Sequence, residues 1–189
     1  MARITKDPEI RRQEILDTAI QLFYEKGYEK TSMNDIAQRM NVSQGLCYRY
    51  FQSKEEIFDF ALDYYTNIGV EKFSTLLCDD SKTIKQKLKE FPTIVAQEQK
   101  NDVYTSFYHK NENKMMHSQV LLKLCEKLSP IVFHELDKAK AKGEIDIDNS
   151  VSIAYFCMYG QLGILMCDEL SYEEKIEQTQ QLISSILNF

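Results

Sequence analysis

The sequence predicts an all-α protein. Apolar residues recur at helical rather than alternating spacing almost throughout, only three prolines and six glycines interrupt them, and residues that cap helices stand where each apolar run begins. With 189 residues and 43% apolar side chains, the chain can bury a core without a disulfide or metal staple. The pattern divides into short elements up to residue 53 and longer ones over 54–189, so we expect a small N-terminal helical domain, 1–53, and a larger helical body, 54–189.

The first helix is expected from Asp7–Pro8 to Lys26, with Pro8 at a position that needs no N–H and Ile15, Ala19, Leu22 and Phe23 along one stripe. Gly27 closes it as a left-handed residue. Either Thr31 or Ser32 caps a short second helix that turns Met33, Ile36, Ala37 and Met40 inward. Asn41–Val42 makes a turn, Ser43 caps a third helix over Gln44–Phe51, and Ser53 with Glu56 forms a capping box that opens a fourth. Three helix starts within so short a span are what helix-turn-helix units are built from.

The fourth helix is expected to reach about Leu77, and another to occupy the Lys82–Lys89 region, with Pro92 bending or interrupting the chain beyond it. Asn111-Glu112-Asn113 reads as a break. Met115–Lys142 reads as a long helix, kinked or restarted at Pro130 and closed by Gly143. Asp148 or Asn149 caps a helix reaching about Asp168, and Ser171 with Glu174 is a capping box for a final helix to Leu187.

The net charge of −6 at first weighs against a nucleic-acid partner, because phosphate binding draws on Lys and Arg. The charge is uneven, however. Residues 1–53 hold eight Lys/Arg and seven Asp/Glu, whereas residues 54–189 hold fifteen and twenty-two, so the acidity belongs to the body. Five cysteines without paired spacing (Cys47, Cys78, Cys125, Cys157, Cys167) and an opening without the features of a secretory leader suggest a reduced, cytoplasmic protein. The most apolar run, Ile153–Met166, is broken by Gln161 and two glycines and falls short of the ~18 residues a membrane span needs. Enzyme classes find little support: there is no phosphate-binding glycine loop, nucleophile elbow or paired-carboxylate signature. His109, His117 and His134 lack ligands at metal-binding spacing, so we expect neither metal nor cofactor.

At about 100° per residue, Cys47 and Phe51 share the inner edge of the third helix with Val42 just ahead of them. The opposite arc carries Gln44, Gly45, Leu46 and Arg49, flanked by Tyr48 and Tyr50, an odd exterior unless something covers it. A DNA groove suits it. Gln pairs with adenine, Leu46 meets a thymine methyl, Gly45 allows close approach, and tyrosyl hydroxyls bond to phosphates. Ser32, Ser43 and Lys54 stand at helix starts, whose backbone N–H groups attract phosphate. As bland alternatives, the aromatic residues pack and the serines merely cap.

The string Ile15-Leu16-Asp17-Thr18-Ala19 to Phe23, Gly27-Tyr28, Thr31 to Ala37, Val42 to Phe51 and Ser53 to Ile57 resembles the DNA-binding domain of the TetR family over roughly residues 8–60. The resemblance implies an all-α fold: a three-helix helix-turn-helix DNA-binding domain followed by a larger helical ligand-binding and dimerisation body. It implies that Gln44, Gly45, Leu46, Tyr48 and, less directly, Asn34 face bases, and that Thr31, Ser32, Ser43, Tyr50 and Lys54 clamp phosphates. Cys47 stands where the family usually has a larger aliphatic residue, and Leu46 where a small residue or threonine is frequent; the latter leaves the preferred base open.

For the body the resemblance extends to architecture alone. It implies a homodimer formed by the last two long helices, with Ile153, Phe156, Gly160, Gly163, Ile164 and Cys167 on one and Ile176, Ile183, Ile186 and Leu187 on the other. Aromatic and sulfur side chains, among them Tyr64, Tyr104, Phe107, Tyr108, Met115, Tyr155 and Tyr159, either line a pocket for an apolar or amphipathic small-molecule effector or form a filled core. The expected function is a dimeric one-component regulator, a repressor of a palindromic operator released by that effector. The alternatives are a DNA binder controlled by a protein partner or lacking an effector, and a helical interaction module that does not bind DNA.

Overall fold

The computed structural model describes residues 7–98 and 114–189, and all regular structure among them is helical. Among the described residues two compact units result, one built on residues 7–64 and 114–117 and one on residues 65–98 and 118–189. α1 (Pro8–Lys26) begins where the Asp7 carboxylate accepts from the Glu9 N–H at 2.8 Å, with Pro8 in the first turn. It ends at Gly27, whose φ of 86° and ψ of 154° lie in an extended positive-φ region, not the left-handed helical one expected from the sequence. Glycine is nearly alone in tolerating that region.

Ser32, rather than Thr31, caps α2 (Met33–Arg39), and Asp35 returns the bond in a complete capping box. α3 (Gln44–Tyr48) stops three residues short of the expected Phe51. The Arg49 and Tyr50 N–H groups reach back only three residues, to the carbonyls of Leu46 and Cys47, which tightens the chain into a turn. Phe51 still packs inside, beside Phe60 and under the Arg12 guanidinium. α4 (Lys54–Leu77) opens with only part of the expected box: Ser53 Oγ accepts from the Glu56 N–H at 3.2 Å, but the Glu56 carboxylate accepts from the N–H of Gln52 instead of Ser53. The first unit's core joins the α1 stripe of Ile15, Ala19 and Phe23 to Ile36 and Ala37 of α2, Cys47 of α3, and Ile57 and Ala61 of α4, all essentially inaccessible to solvent.

In the second unit, α5 (Ile84–Glu98) starts at a box missed in the sequence, Thr83 with Gln86, and continues without interruption through Pro92. Proline deprives the Leu88 carbonyl, four residues back, of its helical donor. The Gln180 side-chain amide supplies a replacement at 2.7 Å, so the helix need not break. α6 (Lys114–Ala141) likewise continues through Pro130, and Gly143 at φ 72° closes the turn after it. Asn149 caps α7 (Ser150–Leu165), which ends before the expected Asp168 as the Cys167 N–H turns to the Ile164 carbonyl. Ser171 and Glu174 form the expected box for α8 (Tyr172–Ile186), which packs on α5 and α7. The core here gathers Ile84, Leu136, Ala139, Ile145, Ile147, Ala154 and Leu187, with Ile153 and Ile183 against it.

Candidate nucleic-acid interface and body cavity

Residues 40–43 join α2 to α3 through a left-handed Asn41 with φ 53°. The Val42 N–H reaches the Ala37 carbonyl at 2.9 Å and the Asn41 N–H that of Gln38 at 3.0 Å, the paired bonds of a Schellman ending. Asparagine tolerates this backbone better than a branched residue would. The turn redirects the chain so that α3 buries Cys47 and exposes Gln44, Gly45 and Tyr48, the last 49% accessible. Leu46 and Tyr50 are half-buried, and Ser43 is exposed with its side chain outside the cap's hydrogen bonding. A Cβ built on Gly45 would meet nothing within 4 Å, and its φ is not positive, so neither the fold's packing nor its backbone requires a glycine there. Burial raises the pKa of the Cys47 thiol, which opposes any thiolate role.

Ser32 and Asn34 are exposed on α2, although the Ser32 hydroxyl is engaged with Asp35. Thr31 is placed otherwise than the clamp role requires. It is 2% accessible and its hydroxyl is held by the carbonyls of Gly27 at 2.9 Å and Leu22 at 3.3 Å, so it anchors the loop from inside. Lys54 also anchors that loop, donating to the carbonyls of Tyr28 at 3.1 Å and Glu29 at 3.3 Å while its ammonium sits 4.4 Å from the Tyr28 ring centre. Burial, reinforced by Glu55, pushes the Tyr28 hydroxyl up to about 12.

Two further cations are neutralised within the unit: Lys26 by Asp35 at 2.6 Å, and Arg39 by Glu25. Hydrogen bonds from Lys26 and Ser32 hold the Asp35 carboxyl at about 2. Among the described residues, Lys30 and Arg49 are exposed cations without an ion-pair partner. The charge count gave no means of telling them from the paired ones.

The body contains a cavity of about 110 Å3 walled almost entirely by apolar side chains, including Leu77 of α4, Ile84 and Phe91 of α5, Leu128 and Val132 of α6, Cys157 of α7 and Ile176 and Ile183 of α8. Four polar side chains reach it: Lys87, Gln161, Thr179 and Gln180. Lys87, 5% accessible, donates to the Leu77 carbonyl at 2.6 Å and to Glu135 at 2.7 Å. Burial opposes ionisation of Glu135, yet hydrogen bonds from Lys138 and Lys87 keep its carboxyl below the ordinary value.

The residues singled out by sequence for the effector lie elsewhere or cannot be placed. Tyr155 and Tyr159 stack on each other away from the cavity, and Tyr64 is exposed on α4. Tyr104, Phe107 and Tyr108, and the side chain of Met115, lie outside the described residues. Of the residues expected at a dimer interface, Phe156 (66% accessible), Gly160 and Gly163 project outward from α7, Ile164, Cys167 and Ile186 are half-buried, and Ile153 and Ile183 face their own subunit's core. Val151, Tyr155 and Met166 on α7 and Leu182 on α8 add to the exposed apolar surface.

α2, the Asn41 turn and α3, held on α1, make a helix-turn-helix unit of the kind that reads DNA. Residues 15–60 match the model for bacterial regulatory proteins of the tetR family. The chain is 42% identical over 60 residues to the protein described as probable acrEF/envCD operon repressor of Escherichia coli K12, and 39% identical over 61 residues to IcaR, the negative regulator of the biofilm operon icaADBC of Staphylococcus aureus. Those matches take in 31% and 30% of this chain and only 27% and 33% of the relatives' own lengths. Over the whole fold, the chain is similar to FadR of Bacillus subtilis, solved in complex with stearoyl-CoA. The TM-score is 0.63 at 18% identity, covering 93% of this chain and 97% of that one.

Proposed function

We propose that this chain is a dimeric one-component transcription regulator, a repressor, that reads a palindromic operator through Gln44–Phe51 and is released by a small-molecule effector bound in the body. The observation that carries the DNA reading is the α3 surface: an exposed Tyr48 and Gln44 beside a glycine that the protein's own fold does not need. A helix N-terminal Gln-Gly pair is suited to close approach to base edges, with Asn34, Leu46 and Tyr50 near it and Ser43, Lys30 and Arg49 available to phosphates, while Ser32 holds the start of α2 through its capping box. Thr31 and Lys54 serve that surface by fixing the loop ahead of α2.

The apolar face of α7, with Phe156, Gly160 and Gly163 at helical spacing, suits a two-fold interface, which would set two readers on half-sites about 34–36 Å apart or a multiple of that distance. The body cavity favours a small-molecule effector over the partner-controlled alternative. Its size is near that of an apolar cavity of about 150 Å3 known to hold benzene and below the about 300–1,000 Å3 of drug-sized pockets. Release requires only that the effector bind the DNA-free state more tightly than the DNA-bound one.

Selection of bound fragments from a random duplex pool, followed by a small-molecule screen for release, tests the proposal. Recovery of an inverted repeat bound by a dimer, together with at least one releasing compound, is the expected result. Asymmetric sites bound by a monomer, or a DNA complex that no compound dissociates, would contradict the dimer or the effector part respectively.

A further inference from the structure

The body cavity is bounded by side chains of five helices, all within the second unit, and almost none of the surface that faces it is polar. The polar side chains on its wall direct their functional groups to the protein itself. The Lys87 ammonium is held by the Leu77 carbonyl at 2.6 Å and by Glu135 at 2.7 Å, and the Gln180 amide by the Leu88 carbonyl at 2.7 Å. The Thr179 hydroxyl oxygen is itself inaccessible, so it offers the cavity nothing polar. The Gln161 amide lies 3.9 Å from the Met158 sulfur. What the cavity meets is carbon and sulfur, from residues such as Leu88, Phe91, Leu128, Val132, Cys157 and Ile176. Burial pushes the Cys157 thiol up to about 11, so near neutral pH this wall residue is an uncharged S–H.

We infer that the cavity takes a hydrocarbon-like molecule of about the bulk of benzene or toluene, without charge and without a hydrogen-bonding group inside the cavity. The inference rests on the effector reading and narrows an apolar or amphipathic effector to the apolar kind. A hydroxyl or carboxylate carried into this space gives up its water and gains no partner from a wall of carbon and sulfur, a cost that a hydrocarbon does not meet. Water is subject to the same bias: an apolar cavity of about 150 Å3 stays dry yet binds benzene. At about 110 Å3 this cavity is of the same order, so a single ring or a short branched alkyl chain fills it. The gain then comes from non-directional contact with the wall, and affinity follows apolar bulk rather than the placement of one polar atom.

The experiment titrates the full chain without DNA, at pH 7, with toluene, phenol and benzoate, and follows the methyl NMR signals of isoleucine, leucine and valine. Toluene is expected to bind and to shift the methyls of Ile84, Val132, Ile176 and Ile183, which border the cavity, while those of Ile15, Ile36 and Ile57 in the first unit's core stay in place. Phenol, the same ring with a hydroxyl, is expected to bind about 5-fold or more weakly than toluene, and benzoate more weakly still. Gln161→Leu removes the one wall amide that is only weakly engaged and should leave toluene binding unchanged or tighter. Phenol or benzoate binding as tightly as toluene, a loss of toluene binding in a folded Gln161→Leu protein, shifts confined to methyls away from the cavity, or no binding by any probe would each overturn the inference. The screen for release from DNA judges the effector reading separately. A polar compound that frees the DNA would keep that reading while sinking this one, and toluene seated in the cavity without releasing DNA would do the reverse.

Discussion

The two units spend their polar groups differently. In the reader, several polar side chains are tied to backbone a few residues away, Asp7 to Glu9, Ser32 to Asp35 and Thr31 to Gly27, while Lys54 reaches further, to the carbonyls of Tyr28 and Glu29. The ion pairs between α1 and α2, Lys26 with Asp35 and Arg39 with Glu25, are open to water. In the body, the decisive polar contacts cross long sequence intervals: Lys87 with Glu135, which is buried, and Gln180 with the Leu88 carbonyl, which is partly so. A unit built on local ties holds one surface rigidly. A unit with a cavity and a long-range polar network has an interior that a ligand can complete.

Removing the same kind of partner from each unit is the strongest test of this contrast. Lys87→Ala strands the buried Glu135 carboxylate and should cost about 3–5 kcal/mol in urea unfolding, softened where Lys138 still reaches it. Lys26→Ala removes an exposed pair and should cost about 1 kcal/mol or less. Equal losses would erase the distinction. Gln180→Leu leaves the Leu88 carbonyl unpaired and should cost about 1–3 kcal/mol, with faster hydrogen exchange around Pro92.

At the smaller end, Ser32→Ala should lower stability by about 1 kcal/mol through loss of the α2 cap. The same box carries a pH signature. The Asp35 carboxyl lies at about 2 in the folded protein against an ordinary 3.8, so its contribution is present above about pH 4 and fades as the pH falls towards 2. Asp35→Asn should flatten that part of the acid-unfolding profile, and an unchanged profile would mean that Asp35 contributes nothing to it.

The same contrast explains how much could be read from the residues alone. Capping boxes, the positive-φ Gly27 and Gly143, and the inward stripe of α1 depend on neighbours three to five residues away, and sequence spacing carries that information. The α3 surface was legible for the same reason, although the helix proved shorter and Thr31 turned inward to bond the end of α1. The cavity was not legible. Helical periodicity cannot distinguish an inward residue that fills space from one that borders a void, and the aromatic residues singled out as a pocket include an exposed Tyr155 and a half-buried Tyr159, which stack on each other away from the cavity. Pro92 could not be read as an uninterrupted helix because its rescue comes from Gln180, far along the chain.

The central claim is that the α3 surface reads DNA, and the most direct measurement titrates a selected inverted repeat with the wild type and Tyr48→Ala at two salt concentrations. Tight wild-type binding that weakens steeply as salt rises is the expected result. The variant should lose about 1–3 kcal/mol of binding with its melting temperature unchanged, as suits an exposed side chain. A folded Tyr48→Ala protein that binds the repeat as tightly as the wild type would contradict the claim.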